Sequence, residues 1–544
     1  MKLVTTAEMQ QVEREADANG LSYAMMMEHA GLGLAEQAVK HFGNLREGGV
    51  FGLVGSGNNG GDTLVAQAHM ADWGWKATAY IVRPRPENDP LVERLRSSGG
   101  RIIDGSSDDK HKLLKSALKD HAILMDGILG TGIKLPLRGS VKDVLGTTKK
   151  LLSKVEAKPA VVAVDCPSGV DCDSGDTADE CLSADLTVTM AAVKKGLLSF
   201  PANEFVGDLR LVGIGLEAND QRSPTWQKIK RFVASAGMVR SLLPLRARNA
   251  YKGTFGTALI IAGSVNYTGA ALLAGQAAYR VGVGLVTMGI PSPLHSALAG
   301  QFPESTWLLL PHEMGVIAES AAEIILENLG NASAMLVGPG FGMEDTTQHF
   351  INSLFSDSLK ARKTRIGFIS DYESVHEKHS AELPPVVIDA DGLKLLSQLK
   401  DWTALIGKPA VLTPHPGEMA VMTGLEVKDI QKERLETAEA YAKKWGHVVI
   451  LKGANTVVAG PGGRTAVVPV ADPALARAGS GDVLAGVVTG LRAQGLDAFD
   501  AAVCGSWIHA QSGLIAAEKL GTSSSVIAGD LIHAIPQVLH SLGR

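Results

Sequence analysis

Cysteine is scarce. Only Cys166, Cys172, Cys181 and Cys504 occur in 544 residues, and no two of them stand in a C-x-x-C spacing. That excludes a disulfide-framed scaffold and a Cys-rich zinc site, and it fits reduced thiols in a cytoplasm. A surplus of positive charge is lacking as well. The net charge is −5, so nothing points to nucleic acid or an anionic membrane surface. No uninterrupted apolar run reaches the ~18 residues that a membrane-spanning helix needs. The opening stretch Met1-Lys2-Leu3-Val4-Thr5-Thr6 has no apolar core of a signal peptide. The P-loop pattern G-x-x-x-x-G-K-[ST] is missing, which removes one common way of holding nucleotide phosphates. The two halves differ in motif and period, so there is no internal repeat. These absences lead us to expect a cytoplasmic protein without membrane or nucleic-acid partners.

Glycine and aliphatic residues are plentiful: 61 glycines, with 45% of the chain hydrophobic. This composition predicts an α/β protein rich in glycine turns. The length predicts two or three domains. A polar stretch from Glu217 to Pro224 marks the seam. The division expected is residues 1–218, a linker over 219–235, and residues 236–544.

One stretch concentrates chemistry. Gly479-Ser480-Gly481-Asp482 runs into an apolar helix from Val483 to Leu491. The glycines let backbone N–H groups converge, and a helix N-terminus suits phosphate. Asp482 puts a carboxylate where it can take a proton from a substrate hydroxyl during phosphoryl transfer. The same Ser and Asp also read as a helix N-cap.

In the first half, the strand Val50–Val54 runs into Gly55-Ser56-Gly57-Asn58-Asn59-Gly60-Gly61-Asp62 and a helix from Thr63 to Trp73. The glycines fit G-x-G-x-x-G, but the strand Ala77–Val82 ends in Arg83-Pro84-Arg85, with no acidic residue to hold a ribose. A carboxylate beside a pyrophosphate would repel it. Asn58, Asn59 and Asp62 therefore suit hydroxyl and amide groups or a cation. Two more strands deliver Asp126 and Asp165-Cys166-Pro167-Ser168 at their ends. In a parallel sheet these ends share one edge and form a polar crevice. Lys194, Lys195, Arg83 and Arg85 read as solvated surface groups.

In the second half, apolar runs end at Gly263-Ser264, Gly338-Pro339-Gly340, Asp389, Pro414-His415-Pro416-Gly417-Glu418 and Lys452-Gly453-Ala454-Asn455-Thr456. That is the pattern of a doubly wound sheet with one active edge. Lys452 to Thr456 can supply a cation and hydrogen bonds beside the Gly479–Asp482 anion site. Residues 356–385 are too long a connection and read as a surface insertion.

In this order these motifs resemble the bifunctional NAD(P)H-hydrate repair family, in which an NAD(P)HX epimerase is fused to an ADP/ATP-dependent NAD(P)HX dehydratase. The likeness spans nearly the whole chain. It implies a Rossmann-like three-layer α/β domain followed by a ribokinase-like α/β domain. It implies that Asn58, Asn59, Gly60, Gly61 and Asp62 hold the hydrated nicotinamide nucleotide, NADHX or NADPHX. Gly130, Thr131, Gly132, Ile133, Lys134, Leu135 and Pro136 join them. K+ is implied on Asn59, Asp126 and Ser168, and Asp165 as the acid/base residue at C6. In the second domain it implies Ala270, Gly340 and His415 near the hydrate, with Asp482 as the base. Lys452, Gly453, Ala454, Asn455, Thr456 and Gly481 would contact ADP or ATP with Mg2+. A homo-oligomer is expected. Thr63, Cys166 and Val193 depart from the family's usual residues, and none removes a polar group the reading needs. Two other readings remain: a ribokinase-like kinase for a vitamin precursor with an accessory Rossmann-like domain, and a non-enzymatic nucleotide-binding scaffold.

Overall fold

Seven short runs of β-branched and aliphatic residues form the first sheet. They are Val50–Val54 (β1), Ala77–Ile81 (β2), Arg101–Asp104 (β3), Ile123–Gly127 (β4), Ala160–Val164 (β5), Leu186–Met190 (β6) and Asp208–Val212 (β7). The structure, a computed structural model, describes residues 1–218, 220–363, 382–406 and 409–544. The strands are all parallel and lie in the order β3-β2-β1-β4-β5-β6-β7. A parallel sheet must be covered on both faces. Accordingly Val50 and Val54 of β1 enter one core, and Phe51 and Leu53 enter another on the opposite face. The helices Thr6–Ala18 (α1), Tyr23–Phe42 (α2) and Asn58–Asp72 (α3) contribute to the first of these cores. The strand order reverses between β1 and β4, and at such a switch point a parallel sheet opens a crevice.

The chain divides between Arg231 and Phe232 into two units. The stretch 219–235, expected as a linker, carries a helix at Pro224–Lys228, capped by Ser223, and a strand at Arg231–Val233 (β8).

The second sheet continues in chain order with Thr257–Ile261 (β9), Leu285–Pro291 (β10), Thr306–Leu310 (β11), Ala334–Val337 (β12), Val386–Ile388 (β13), Val411–Leu412 (β14), Val448–Leu451 (β15), Val457–Ala459 (β16) and Thr465–Val467 (β17). Its order is β8-β17-β16-β15-β14-β13-β12-β9-β10-β11. Strands β9 to β15 pair in parallel, and β15, β16 and β17 form an antiparallel meander at one side. Four helices matter for the site or its packing: Thr268–Arg280 (α4), Pro416–Thr423 (α5), Ser480–Ala493 (α6) and Ala498–Leu520 (α7). The insertion expected over 356–385 begins as the end of a helix, Asp345–Lys363. Residues 364–381 of it lie outside the described residues. Among the described residues, no helix is long and apolar enough to cross a membrane.

Candidate functional sites

The first site sits at the crevice beside β1. Helix α3 begins at Asn58, five residues before the helix expected from Thr63, so the Asn-Asn-Gly-Gly-Asp run is its first turn rather than a loop. Gly60 is required there, because a Cβ would lie 2.1 Å from the Gly55 carbonyl oxygen. This close approach points Asn58, Asn59 and Asp62 into a pocket shared with Thr131, Asp165 and Lys194. Helices α1 and α2 supply the facing wall, with Glu13, Tyr23, Met26 and Met27.

Asn59, Asp126 and Ser168 converge around the loop at Leu129. The Asn59 Nδ2 donates to the Leu129 and Val164 carbonyls, at 3.1 and 2.5 Å. The Ser168 N–H donates to Asp126 Oδ2 at 2.8 Å, and the Leu129 N–H donates to Ser168 Oγ at 2.9 Å. Among the described residues, Asp126 Oδ1 is buried with no hydrogen-bond partner. Burial pushes the Asp126 carboxyl up. A buried, unsatisfied carboxylate oxygen amid amide, hydroxyl and carbonyl oxygens is donor chemistry for a hard cation. One carboxylate with neutral oxygens suits a single positive charge. Among the described residues no cluster of three His, Cys, Asp or Glu side chains forms a metal site.

Asp165 has a φ of 64°, a left-handed conformation uncommon for a residue with a Cβ. Its Oδ1 accepts from the Thr189 hydroxyl at 3.0 Å, from the Met190 N–H at 2.9 Å, and from Lys194 Nζ. Lys194 corrects the surface reading: its side chain is 1% exposed. Burial alone would lower the Lys194 ammonium, but the Asp165 carboxylate offsets this and holds it above the usual lysine value. Burial, then the charges of Asp165 and Glu13, push the Asp62 carboxyl well up. Glu13 is also raised, first by burial. Arg85 is a second correction. It donates to the Gly55 carbonyl at 2.7 Å and pairs with Asp89 at 2.6 Å, so it braces the glycine turn.

Of the Gly130–Pro136 loop, Thr131 reaches the pocket, while Leu135 packs against the core on the other side of the sheet. A Cβ on Gly130 would meet Asn59 Oδ1 at 2.4 Å, which places this backbone against the Asn59 amide.

The second site gathers at the N-terminus of α6. That helix starts at Ser480, and its cap is Gly479 at a φ of 84°, with no side-chain cap hydrogen bond. Asp482 is therefore not an N-cap residue. Burial first, then the Asp389 carboxylate, push the Asp482 carboxyl up to about 7. Lys452 Nζ pairs with Asp389 at 2.7 Å and Glu418 at 3.6 Å. A Cβ on Gly481 would lie 3.4 Å from Lys452 Nζ, so this ammonium sits against the predicted anion site. Behind α6, the His509 ring nitrogen Nε2 contacts the Ser480 carbonyl at 2.9 Å. Burial pushes His509 down to about 4, so its neutral ring donates this bond.

Gly340 and Ala270 touch: a Cβ on Gly340 would meet the Ala270 Cβ at 2.8 Å. The Gly342 N–H donates to Asp391 at 3.0 Å and ties the Gly340 loop to the first residue of the helix Asp391–Ser397, which follows β13. His415 caps α5, its Nδ1 accepting from the N–H groups of Gly417 and Glu418 at 3.0 and 3.4 Å. Its Nε2 lies 3.3 Å from Glu418. Thr456 Oγ1 closes its turn on the Gly453 carbonyl at 2.8 Å, Asn455 is buried, and Gly453 and Ala454 are exposed. Sequence reasoning passed over Glu13, Thr189 and Arg434, and quoted Thr413 only as the end of an apolar run. Thr413 donates to Asp389 at 2.6 Å, and Arg434 to the carbonyls of Leu451 and Lys452 at 2.9 and 3.1 Å. Asp389 and Glu418, quoted only as strand-end residues, belong to the same network.

A family model described as YjeF-related protein N-terminus matches residues 23–196, and one described as NAD(P)H-hydrate dehydratase matches residues 258–537. The chain is 34% identical to a bifunctional NAD(P)H-hydrate repair enzyme of Moorella thermoacetica, across 100% of this chain and 97% of that one. It belongs to the bifunctional NAD(P)H-hydrate repair enzymes. A family member from Salinibacter ruber is 33% identical over 98% of this chain and 96% of its own. Among solved structures, an ADP/ATP-dependent NAD(P)H-hydrate dehydratase from Bacillus subtilis, co-crystallised with ATP/Mg2+, is 29% identical. It covers 57% of this chain and 98% of its own, with a TM-score of 0.46.

Proposed function

We propose that the first unit interconverts the R and S forms of NAD(P)HX and that the second dehydrates the S form to NAD(P)H at the expense of ADP or ATP. The observation that supports this division of labour is the pair of carboxylates. Asp165 lines a pocket in one unit, and Asp482 stands in the first turn of helix α6 in the other.

In the first unit, Asn58, Asn59 and Asp62, with the Gly130–Pro136 loop, hold the nucleotide. Asp165 moves the proton that lets C6 invert. Asn59, Asp126 and Ser168 would hold a K+ ion, whose charge would offset that of Asp126 beside the loop at Leu129. In the second unit, Ala270, Gly340 and His415 face the hydrate. Lys452 to Thr456 and the N–H groups at Gly481 receive the ADP or ATP phosphates, which bring Mg2+. Asp482 takes the proton of the C6 hydroxyl as its oxygen receives the phosphoryl group. Phosphate then leaves C6 as C5 gives up a proton, and the C5–C6 double bond of the dihydronicotinamide is restored.

The test is absorbance at 340 nm on racemic NADHX with Mg2+ and ADP, then ATP. Full recovery of NADH supports both activities, and the faster nucleotide names the donor. Recovery that stops near half leaves a dehydratase beside a first unit that only binds. No recovery, with a stable phosphorylated product from another substrate, favours the vitamin-precursor kinase.

A further inference from the structure

The ammonium of Lys194 has no proton to spare. Besides Asp165 Oδ1, it donates to the Met190 carbonyl at 3.0 Å and to Thr189 Oγ1 at 3.2 Å. Among the pocket-lining residues it is the cation set against three carboxyl groups, Glu13 from α1, Asp62 from α3 and Asp165 from the end of β5. Its partners are graded in a specific way. Asp165 Oδ1 collects three donors, while Oδ2 has no hydrogen-bond partner among the described residues. Backbone and side chain of Asp165 are thus both fixed, the first at positive φ and the second by a triple clamp. A two-stranded ladder holds the clamp: Val193–Lys194 pairs in parallel with Leu3–Val4, directly ahead of the helix that brings Glu13.

We infer that Lys194 is the positioning residue of the epimerisation site, turning the Asp165 carboxylate so that Oδ1 faces the protein and Oδ2 faces the reacting carbon. The inference rests on Asp165 being the acid/base group. A lysine needed only for folding would behave differently. It would lower the amount of folded protein or weaken binding, without changing turnover in the protein that remains folded.

The experiment uses the full chain and measures interconversion of R- and S-NADHX across a substrate series, with NADH formation from pure S-NADHX as a second readout. Lys194→Met lowers kcat for interconversion by about 10- to 100-fold, the scale of a misplaced catalytic group, with KM within about threefold of the parent. Dehydration of S-NADHX is unchanged. Lys194→Gln, which can still donate to Oδ1, recovers part of the loss and carries the test if the Met variant does not fold. The double variant with Asp165→Asn is no slower than Asp165→Asn alone, because the two act as one unit. A parental kcat in Lys194→Met overturns the inference. So does a rise in KM alone, or a double variant slower than Asp165→Asn. If Asp165→Asn itself interconverts the epimers at the parental rate, the acid/base reading fails first and takes the inference with it.

Discussion

Asp482 was legible in sequence as a charge beside glycines; its burial was not. With its carboxyl near 7, a base that must be ionised loses rate as the pH falls through neutrality. The dehydration rate therefore rises across about pH 6 to 8, and a pH profile with S-NADHX checks it. The sign for stability is opposite. The folded carboxyl binds its proton more tightly than the unfolded one, so ionising it above pH 7 costs stability that is regained as the pH falls toward its unfolded value. Asp482→Asn abolishes dehydration, and relative to the parent it gains about 2–4 kcal/mol on going from about pH 4 to about pH 8, read by denaturant titration. Asp126 gives a second prediction at this scale. Exchange of K+ for Li+ slows interconversion of the epimers and leaves dehydration of S-NADHX unchanged. Equal rates in the two salts would remove K+ from the first site. Lys194 shows what one sequence cannot carry: a lysine beside another lysine and a glycine reads as surface. Only the fold reveals that a strand from residue 3 covers it.

Strand ends were readable because apolar runs stop at polar or glycine residues, and the structure puts Asp126, Asp165, Asp389 and Lys452 at or just past such ends. The start of α3 was not. Asn-Asn-Gly-Gly is a turn by propensity, yet contact of Gly60 with Gly55 winds it into α3. The order of strands was also beyond periodicity, since it depends on which crossover closes where. The helix that presents Asp482 depends on a crossing with α4. A Cβ on Gly486 would lie 2.1 Å from the Ala274 carbonyl oxygen, and backbone cannot move aside as a flexible side chain can. Gly486→Ala costs about 1–3 kcal/mol and lowers kcat for dehydration as the N-terminus of α6 shifts, while epimer exchange persists. A thermal melt with both assays checks it; an unchanged melt would mean that the crossing yields.

Two sites in two units make a serial device. Asp165→Asn converts S-hydrate at the parental rate and waits for spontaneous epimerisation to use the R form. Progress curves from racemic substrate then show a fast half and a slow half. Consumption of the R form faster than its spontaneous exchange would remove Asp165 from its role. Asp482→Asn gives the complementary result, with epimers exchanging and no NADH formed; loss of both activities together would deny the two-site arrangement. The pairing of two activities in one chain was legible from the succession of motifs, because glycine turns and strand-end carboxylates sit in the local sequence.

The ladder between Leu3–Val4 and Val193–Lys194 has a consequence in time. Every residue lining the first pocket falls between Met9 and Ile214, inside the unit that ends at Arg231. At roughly 5–20 residues per second, the ribosome needs about 15–60 s more to pass from Arg231 to Arg544. A fragment that stops at Arg231 is therefore expected to exchange one epimer for the other while the segment that consumes the product is still being made; a fragment that folds but leaves the epimers unexchanged would show that the second unit is needed.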